Sequence, residues 1–108
     1  MAKKVYHKLV RDKIPDIIRA QGNMCKTRIL TDEEYLAMLD LKLQEEMQEY
    51  LEKHDLEEMA DLMEVIRAQL AARGSSMEEV ERIRAEKTRM RGGFEQRILL
   101  EDVEEREE

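Results

Sequence analysis

The sequence predicts a mainly α-helical fold, from its composition and from the spacing of its apolar residues. Charged residues make up 42% of the 108 residues, aromatic residues make up 4%, and there is a single Pro. Leu, Met, Glu, Arg and Lys, which favour helices over sheet, are abundant. Apolar side chains also recur at the three- and four-residue spacing of amphipathic helices. We therefore expect an antiparallel helical bundle in one domain over residues 1–108.

The chain is predicted to open with an extended basic segment and a short helix. Residues 1–8 form the basic segment. Pro15 fits only the first turn of a helix, because it lacks a backbone N–H and its ring blocks the preceding turn. The first helix therefore starts near residues 12–13 and ends near Gly22, which suits a left-handed cap. Residues 26–30 fit a short strand.

Two long helices are predicted next, joined by a tight turn. Thr31-Asp32-Glu33-Glu34 has the pattern of a capping box, which opens a helix that continues to about Lys53. His54-Asp55 makes the turn. The second long helix covers residues 56–72 and ends before Gly74.

The last third of the chain is predicted to hold one more helix and a second short strand. Ser76-Met77-Glu78-Glu79 offers another capping box, for a helix that reaches about residue 90. Two glycines then break the helix. Residues 97–100 fit a strand that pairs with residues 26–30. From Glu101 the tail is strongly acidic, and we expect it to fray.

Charge and cysteine content narrow the class of protein. The net charge of −7 argues against a nonspecific nucleic-acid-binding surface. Cys25 is the single cysteine, so it cannot form an internal disulfide and fits a reducing compartment. The start of the chain lacks the apolar core of a signal peptide, and no apolar run is long enough to cross a bilayer. We expect a cytoplasmic protein without a membrane or nucleic-acid partner.

Two acidic pairs occur on the two long predicted helices. Glu46 and Glu49 are three residues apart on the first, and Glu58 and Asp61 are three apart on the second. Each pair therefore projects from one side of its helix. If the helices fold back on each other, the four carboxylates converge and repel by about 3 kcal/mol per pair, at ~5 Å and an effective dielectric of ~20. A divalent cation would relieve this repulsion, and oxygen-only ligands favour Mg²⁺ or Mn²⁺ over zinc.

The ordinary role of acidic residues on helices is to form a solvated face, and Asp55 with Glu58 also fits a capping box. The helical wheel argues against that role here. Glu58 falls between Leu62 and Val65, inside the apolar arc of its helix. Glu46 likewise lies beside apolar residues. An acid that faces the core needs a partner or a cation, because desolvating it alone is expensive. We therefore favour a metal site.

Basic residues suggest a polyphosphate site. Three of them share one side of the last helix with Val80 and Ile83, just before Arg91-Gly92-Gly93-Phe94, where glycines allow close backbone approach. Arg supplies a planar fork for phosphate and Lys a compact charge. The ordinary alternative is pairing with surface acids. The candidate phosphate ligands are Arg84, Lys87 and Arg91 on this helix, Lys42 one turn before Glu46, and Lys8, Arg11 and Lys13 near the start of the chain.

The acidic motif Glu45-Glu46-x-x-Glu49, followed by Glu58-x-x-Asp61, resembles the metal motif of MazG-like all-α nucleoside-triphosphate pyrophosphohydrolases. Lys8-Leu9-Val10-Arg11-Asp12-Lys13-Ile14-Pro15 and Arg91-Gly92-Gly93-Phe94 look like a compact branch related to phosphoribosyl-ATP pyrophosphohydrolases. The gap between the two acidic motifs is shorter than in many larger MazG-like proteins. The resemblance implies a helical metal-binding core and cleavage between the α- and β-phosphates.

The resemblance also implies roles for individual residues. Glu45 would orient or deprotonate the attacking water, while Lys87 and Arg91 would assist the pyrophosphate leaving group. A homodimer is implied, in which helices of neighbouring subunits complete the bundle and the site. The alternative is a monomer whose short strands and first helix cover the apolar faces. The implied Mg²⁺ ligands are Glu46, Glu49, Glu58 and Asp61, and the implied catalytic residues are Glu45, Glu46, Glu49 and Lys87.

The expected activity is therefore Mg²⁺-dependent, house-cleaning hydrolysis of a nucleoside triphosphate to a nucleoside monophosphate and pyrophosphate. A related alternative is hydrolysis of phosphoribosyl-ATP in histidine biosynthesis, since related folds use similar acidic helices. An alternative of another class is a noncatalytic helical interaction module, in which the acids only keep a bundle in solution.

Overall fold

The computed structural model describes residues 2–107, which contain four α-helices. The chain divides into two units, Met1–Ser76 and Met77–Glu108, each considered by itself below. The predicted mainly helical fold is confirmed, and the helices begin and end close to the predicted residues. They are α1 (Ile14–Ala20), α2 (Asp32–Lys53) and α3 (Leu56–Ala72) in the first unit and α4 (Met77–Arg91) in the second.

The prediction of two short strands was wrong, because residues 2–107 contain no β-strand. Residues 26–30 and 97–100 belong to no regular element. Four of their five apolar side chains are exposed to solvent, including Ile29 at 95% and Leu99 at 81% exposure, and Leu30 is half-buried. A strand is stable only when a neighbouring strand accepts its backbone hydrogen bonds, and a short apolar run does not show that such a neighbour exists.

Local sequence explains where α1 and α2 begin. Pro15 occupies the first turn of α1, as predicted. Thr31 caps α2: its hydroxyl accepts from the Glu34 N–H at 3.2 Å, and the Glu34 carboxylate accepts from the Thr31 N–H at 3.1 Å. This is the predicted capping box. Arg28 adds a two-pronged ion pair to the same carboxylate, with N···O distances of 2.8 and 3.1 Å.

Helices α2 and α3 form an antiparallel hairpin around a two-residue connection. His54 ends α2 in the left-handed region, with φ of 55°. Asp55 then caps α3, because its side chain accepts from the Glu58 N–H at 2.9 Å. Far from the turn, the side-chain amide of Gln69 on α3 donates a hydrogen bond to the Asp40 carboxylate on α2, at 2.7 Å. This contact shows which residues of the two helices face each other.

The buried interior of the hairpin is small and partly acidic. Among residues 2–107 the buried apolar side chains are Leu39 and Val65, which are 1% and 8% exposed. Glu46 and Glu58 are equally buried, each at 7% exposure. The hairpin therefore places two carboxylates where a helical hairpin ordinarily places apolar side chains.

The second unit consists of α4 and the segment after it. The apolar side chains of α4 are exposed, including Ile83 at 46% and Met90 at 69%. Residues 101–107, predicted to be a frayed tail, contain no helix or strand. No helix within residues 2–107 has the length and apolar character needed to cross a membrane.

Candidate metal centre

The carboxylates of Glu46, Glu58 and Asp61 meet where α2 and α3 face each other; we call these three residues the acidic cluster. One oxygen from each lies within 4.8 Å of the other two. Glu58 and Asp61 come from one side of α3 because they are three residues apart, and Glu46 reaches them from α2. The convergence expected from helical spacing is therefore present for these three acids.

Both buried glutamates have one oxygen that lacks a hydrogen bond. Glu46 Oε2 and Glu58 Oε2 are enclosed, and neither has a hydrogen-bond partner within the part of the chain that the structure describes. An unsatisfied buried polar atom costs roughly 1–3 kcal/mol, and more when it is charged. Folded proteins seldom leave such atoms without a ligand or water. Carboxylate oxygens suit hard cations, so this donor set fits Mg²⁺ or Mn²⁺.

The backbone and the side chain of Glu58 make different contacts. Its backbone N–H donates to the Asp55 side chain, which is half of a capping box. Its carboxylate turns elsewhere, since Oε1 accepts from Lys53 Nζ at 3.2 Å and Oε2 is one of the unpartnered atoms. The capping alternative therefore explains the backbone of Glu58 but not its side chain.

Glu49 lies beside the acidic cluster without being one of its three converging acids. Repulsion from Glu46, followed by burial and by contact with Glu58, raises the pKa of the Glu49 carboxyl above its ordinary value. Glu49 therefore experiences the negative charge of the cluster. Its role as a fourth metal ligand stays a prediction.

Two lysines are paired with the buried glutamates. Lys42 Nζ lies 3.1 Å from Glu46 Oε1, and Lys53 Nζ lies 3.2 Å from Glu58 Oε1. Burial disfavours the charge of Lys42, but hydrogen bonds and attraction from Glu46 and Glu45 outweigh burial and raise the pKa of its ammonium group. The hydrogen bond and charge of Glu58 likewise raise the pKa of Lys53. The repulsion expected from bare carboxylates is therefore partly compensated.

The segment before α1 brings two more cations to the same region. An Arg11 guanidinium nitrogen lies 2.7 Å from Asp61 Oδ1, and Lys8 Nζ lies 3.4 Å from Glu45 Oε1. Both residues were predicted to bind phosphate, and the structure places both next to the acids. Lys13, the third candidate of this segment, is the exposed N-cap residue of α1.

Glu45 lies outside the acidic cluster, between two ammonium groups. Its Oε1 is 3.4 Å from Lys8 Nζ, and its Oε2 is 3.3 Å from Lys42 Nζ. The three side chains border an open cavity of about 70 Å³. The other residues that line the cavity are His7, Leu9, Met38 and Leu41.

The remaining phosphate-ligand candidates belong to α4, in the second unit. Arg84 forms an ion pair with Glu81, and its Nε donates to Glu81 Oε2 at 2.9 Å. This is the ordinary surface pairing considered above. Lys87 and Arg91 are exposed on the same helix. The roles of all three in binding phosphate stay predictions.

The sequence analysis placed Lys53 at the end of α2 but did not predict its ion pair with Glu58. A signal was present, because Lys53 precedes Glu58 by five residues across a two-residue turn. A cation at the C-terminus of one helix can therefore reach the first turn of the next. The pairing of Arg11 with Asp61 had no such signal, since 50 residues separate them.

Comparison with known proteins gives a local match. No protein-family model matches the chain, and no solved structure matches it significantly. The chain is 56% identical over 41 residues to an uncharacterized protein of Mycolicibacterium smegmatis. The match takes in 38% of this chain and 42% of the relative, so it spans less than half of the relative's length. Any functional conclusion therefore rests on the site and on the sequence motifs.

Proposed function

We propose that this protein is a Mg²⁺-dependent nucleoside-triphosphate pyrophosphohydrolase of the MazG-like type, which releases a nucleoside monophosphate and pyrophosphate. The observation that carries the proposal is the acidic cluster, with two enclosed, unpartnered carboxylate oxygens on facing helices. The resemblance of the motifs around Glu46 and Glu58 supports the same class. A house-cleaning role follows from that resemblance alone.

Glu46, Glu58 and Asp61 would hold the metal ion, with Glu49 as the fourth candidate ligand. Bound there, Mg²⁺ or Mn²⁺ would neutralise the phosphates and stabilise the negative charge that develops on them during hydrolysis. The ligand set contains only carboxylate oxygens, which supports these hard ions over zinc.

Glu45 is the candidate to orient or deprotonate the attacking water. It stands outside the acidic cluster, so coordination does not require it. Lys8 and Lys42 hold its two oxygens beside the cavity, which fixes the direction of its carboxylate. A general base must be held within hydrogen-bond reach of the water that it activates, and these two ion pairs provide such restraint.

The cations beside the acids are candidates to bind the phosphates of the substrate. Lys8 and Lys42 border the cavity. Arg11 follows Lys8 by three residues and contacts Asp61. Arg offers two parallel donors to a phosphate, and Lys a compact charge. On α4, Arg84, Lys87 and Arg91 are further candidates to bind phosphate, and in this proposal Lys87 and Arg91 assist the leaving pyrophosphate.

A substrate panel tests the proposal. Nucleoside triphosphates and phosphoribosyl-ATP are incubated separately with the protein and Mg²⁺, and pyrophosphate release is measured. We expect release from at least one nucleoside triphosphate and none when Mg²⁺ is chelated. Release from phosphoribosyl-ATP alone would favour the histidine-biosynthesis alternative. Glu46→Gln/Glu58→Gln serves as the matched inactive control.

A noncatalytic interaction module is the alternative that the ion pairs favour, because four cations already neutralise much of the acidic charge. It predicts no hydrolysis of any substrate in the panel. It also predicts no stabilisation by Mg²⁺ beyond that of ionic strength. Both results together would replace the enzymatic proposal with this one.

A further inference from the structure

We propose that Lys42 and Lys53 give the acidic cluster its metal selectivity, by leaving Glu46 and Glu58 one free oxygen each. The inference rests on the proposed metal site and adds which ion that site prefers. It predicts that Mg²⁺ binds in preference to Ca²⁺, and that the two lysines are the reason.

The two buried glutamates share one arrangement. In Glu46, Oε1 is paired with Lys42 at 3.1 Å and Oε2 has no partner among the described residues. In Glu58, Oε1 is paired with Lys53 at 3.2 Å and Oε2 again has no such partner. Each carboxylate therefore has one oxygen held by an ammonium group and one oxygen available.

This arrangement discriminates between ions by coordination number. Ca²⁺ takes about 6–8 oxygens, often including both oxygens of a carboxylate, whereas Mg²⁺ takes about six and usually keeps several waters. A glutamate can offer both oxygens to one ion only if it gives up its lysine. Ca²⁺ would therefore have to break ion pairs that Mg²⁺ can leave in place.

The two lysines differ in how firmly they hold their carboxylates. The Lys42 side chain is 16% exposed and is also held by Glu45, 3.3 Å away. The Lys53 side chain is 58% exposed, so solvent screens its ion pair more strongly. Removing Lys42 should therefore change the selectivity more than removing Lys53.

The ratio of the Ca²⁺ Kd to the Mg²⁺ Kd separates an effect of the lysines on coordination from an effect of their charge alone. Both ions carry the same double charge, so loss of a nearby lysine strengthens both by a similar electrostatic factor. Only a change in coordination alters the preference between them. Lys8 supplies the matched control, because it is a nearby cation paired with Glu45 rather than with a cluster carboxylate.

The experiment titrates the full chain with MgCl₂ and with CaCl₂ by isothermal calorimetry. Wild type is compared with Lys42→Met, Lys53→Met and Lys8→Met, and circular dichroism verifies the helix content of each. We expect wild type to prefer Mg²⁺. We expect Lys42→Met to reduce the ratio of the Ca²⁺ Kd to the Mg²⁺ Kd by about tenfold, the lower end of the effect of ligand-orienting residues. Lys53→Met should reduce it less, and Lys8→Met should leave it unchanged.

Three results would overturn the inference and leave the proposed metal site in place. They are an unchanged ratio in both Lys42→Met and Lys53→Met, a change in Lys8→Met equal to that in Lys42→Met, and a preference of the wild type for Ca²⁺. Failure of the wild type to bind either ion would remove the proposed metal site and the inference with it. If Lys42→Met does not fold, the exposed Lys53→Met decides the question.

Discussion

Glu46 and Glu58 place charge at positions where apolar side chains would ordinarily stabilise the hairpin at least as well. Each is 7% exposed, close to the burial of Val65 at 8%. Replacing a buried ion pair with apolar residues of similar size is often neutral or stabilising. Carboxylates at these positions therefore contribute little to holding α2 against α3, and their charge calls for a functional explanation.

At the level of single residues, Asp61→Asn and Glu49→Gln should each reduce pyrophosphate release by at least about 100-fold, the upper range of effects for residues around a metal ligand. Each change keeps the shape of the side chain and removes an anionic oxygen. Helix content, measured by circular dichroism, should stay near that of wild type. Glu64→Gln, an exposed change on the same helix as Asp61, is the control. Near-wild-type turnover in both variants at limiting Mg²⁺ would exclude these ligands.

Mg²⁺ should raise the melting temperature of the wild type more than that of Glu46→Gln/Glu58→Gln. An ion that binds only the folded protein stabilises it by mass action, by about 2.7 kcal/mol when present at 100 times its Kd. The double variant replaces both buried carboxylates with neutral amides, which bind a divalent cation weakly, and should lose most of this response. The measurement is thermal unfolding with and without MgCl₂ at constant ionic strength. Equal shifts in the two proteins would indicate nonspecific screening.

At the level of the helices, we expect the ion pair at the start of α2 to make the free energy of unfolding depend on pH in the acidic range. The hydrogen bond from Arg28, followed by that from the Thr31 backbone, lowers the pKa of Glu34 from 4.5 to about 2. Because the folded-state pKa is depressed, this stabilisation is complete above 4.5 and is lost as the pH falls through about 2. Glu34→Gln should flatten the loss of stability over this interval.

Urea unfolding at several pH values across that interval provides the measurement. Glu33→Gln, at the neighbouring exposed position in the first turn of α2, should retain the wild-type slope. An equal slope in wild type and Glu34→Gln would show that the ion pair with Arg28 does not persist in solution.

The helices could be predicted because their signals are local. The capping box at Thr31, the apolar spacing and the glycines lie within the segments that they define. The prediction of strands at residues 26–30 and 97–100 was wrong for the opposite reason. A strand depends on a partner elsewhere in the chain, and two short apolar runs contain no information about pairing.

The acidic cluster was predictable in part for a related reason. Glu58 lies in the apolar arc of its own helix, so the helical wheel alone indicates that it faces inward. The ion pairs of Lys8 and Arg11 were not predictable. They come from a segment without helical or strand periodicity, and their partners are 37 and 50 residues away. Long, flexible side chains also reach several positions equally well, so spacing does not select one.

At the scale of the whole molecule, the exposed apolar residues of the hairpin predict self-association. Leu56 and Met63 are seven residues apart on one face of α3 and are 86% and 50% exposed, and Leu51 on α2 is 53% exposed. Exposed apolar residues grouped on one face commonly mark an interface. A second copy of this chain is the simplest partner, so we expect a homodimer.

Light scattering over a dilution series measures the molecular mass in solution and so tests for the homodimer. Wild type should scatter as a dimer, and Met63→Lys should shift the dimer–monomer equilibrium toward the monomer by placing a charge in the interface. Glu64→Lys introduces the same residue at the adjacent exposed position on the polar side of α3, and should dimerise as wild type does. A monomer that keeps full activity at the lowest concentration would exclude a shared site and leave the metal assignment intact.

The two-residue connection between α2 and α3 has a consequence for the order of folding. Lys42, Glu46, Lys53, Glu58 and Asp61 all belong to one continuous hairpin. Contacts between residues close in sequence form early, because little chain entropy is lost in bringing them together. The acids and their two lysines should therefore assemble within the range of about microseconds to milliseconds that is typical of helical proteins rich in local contacts. Lys8 and Arg11, on a distant segment, should dock onto a cluster that already exists.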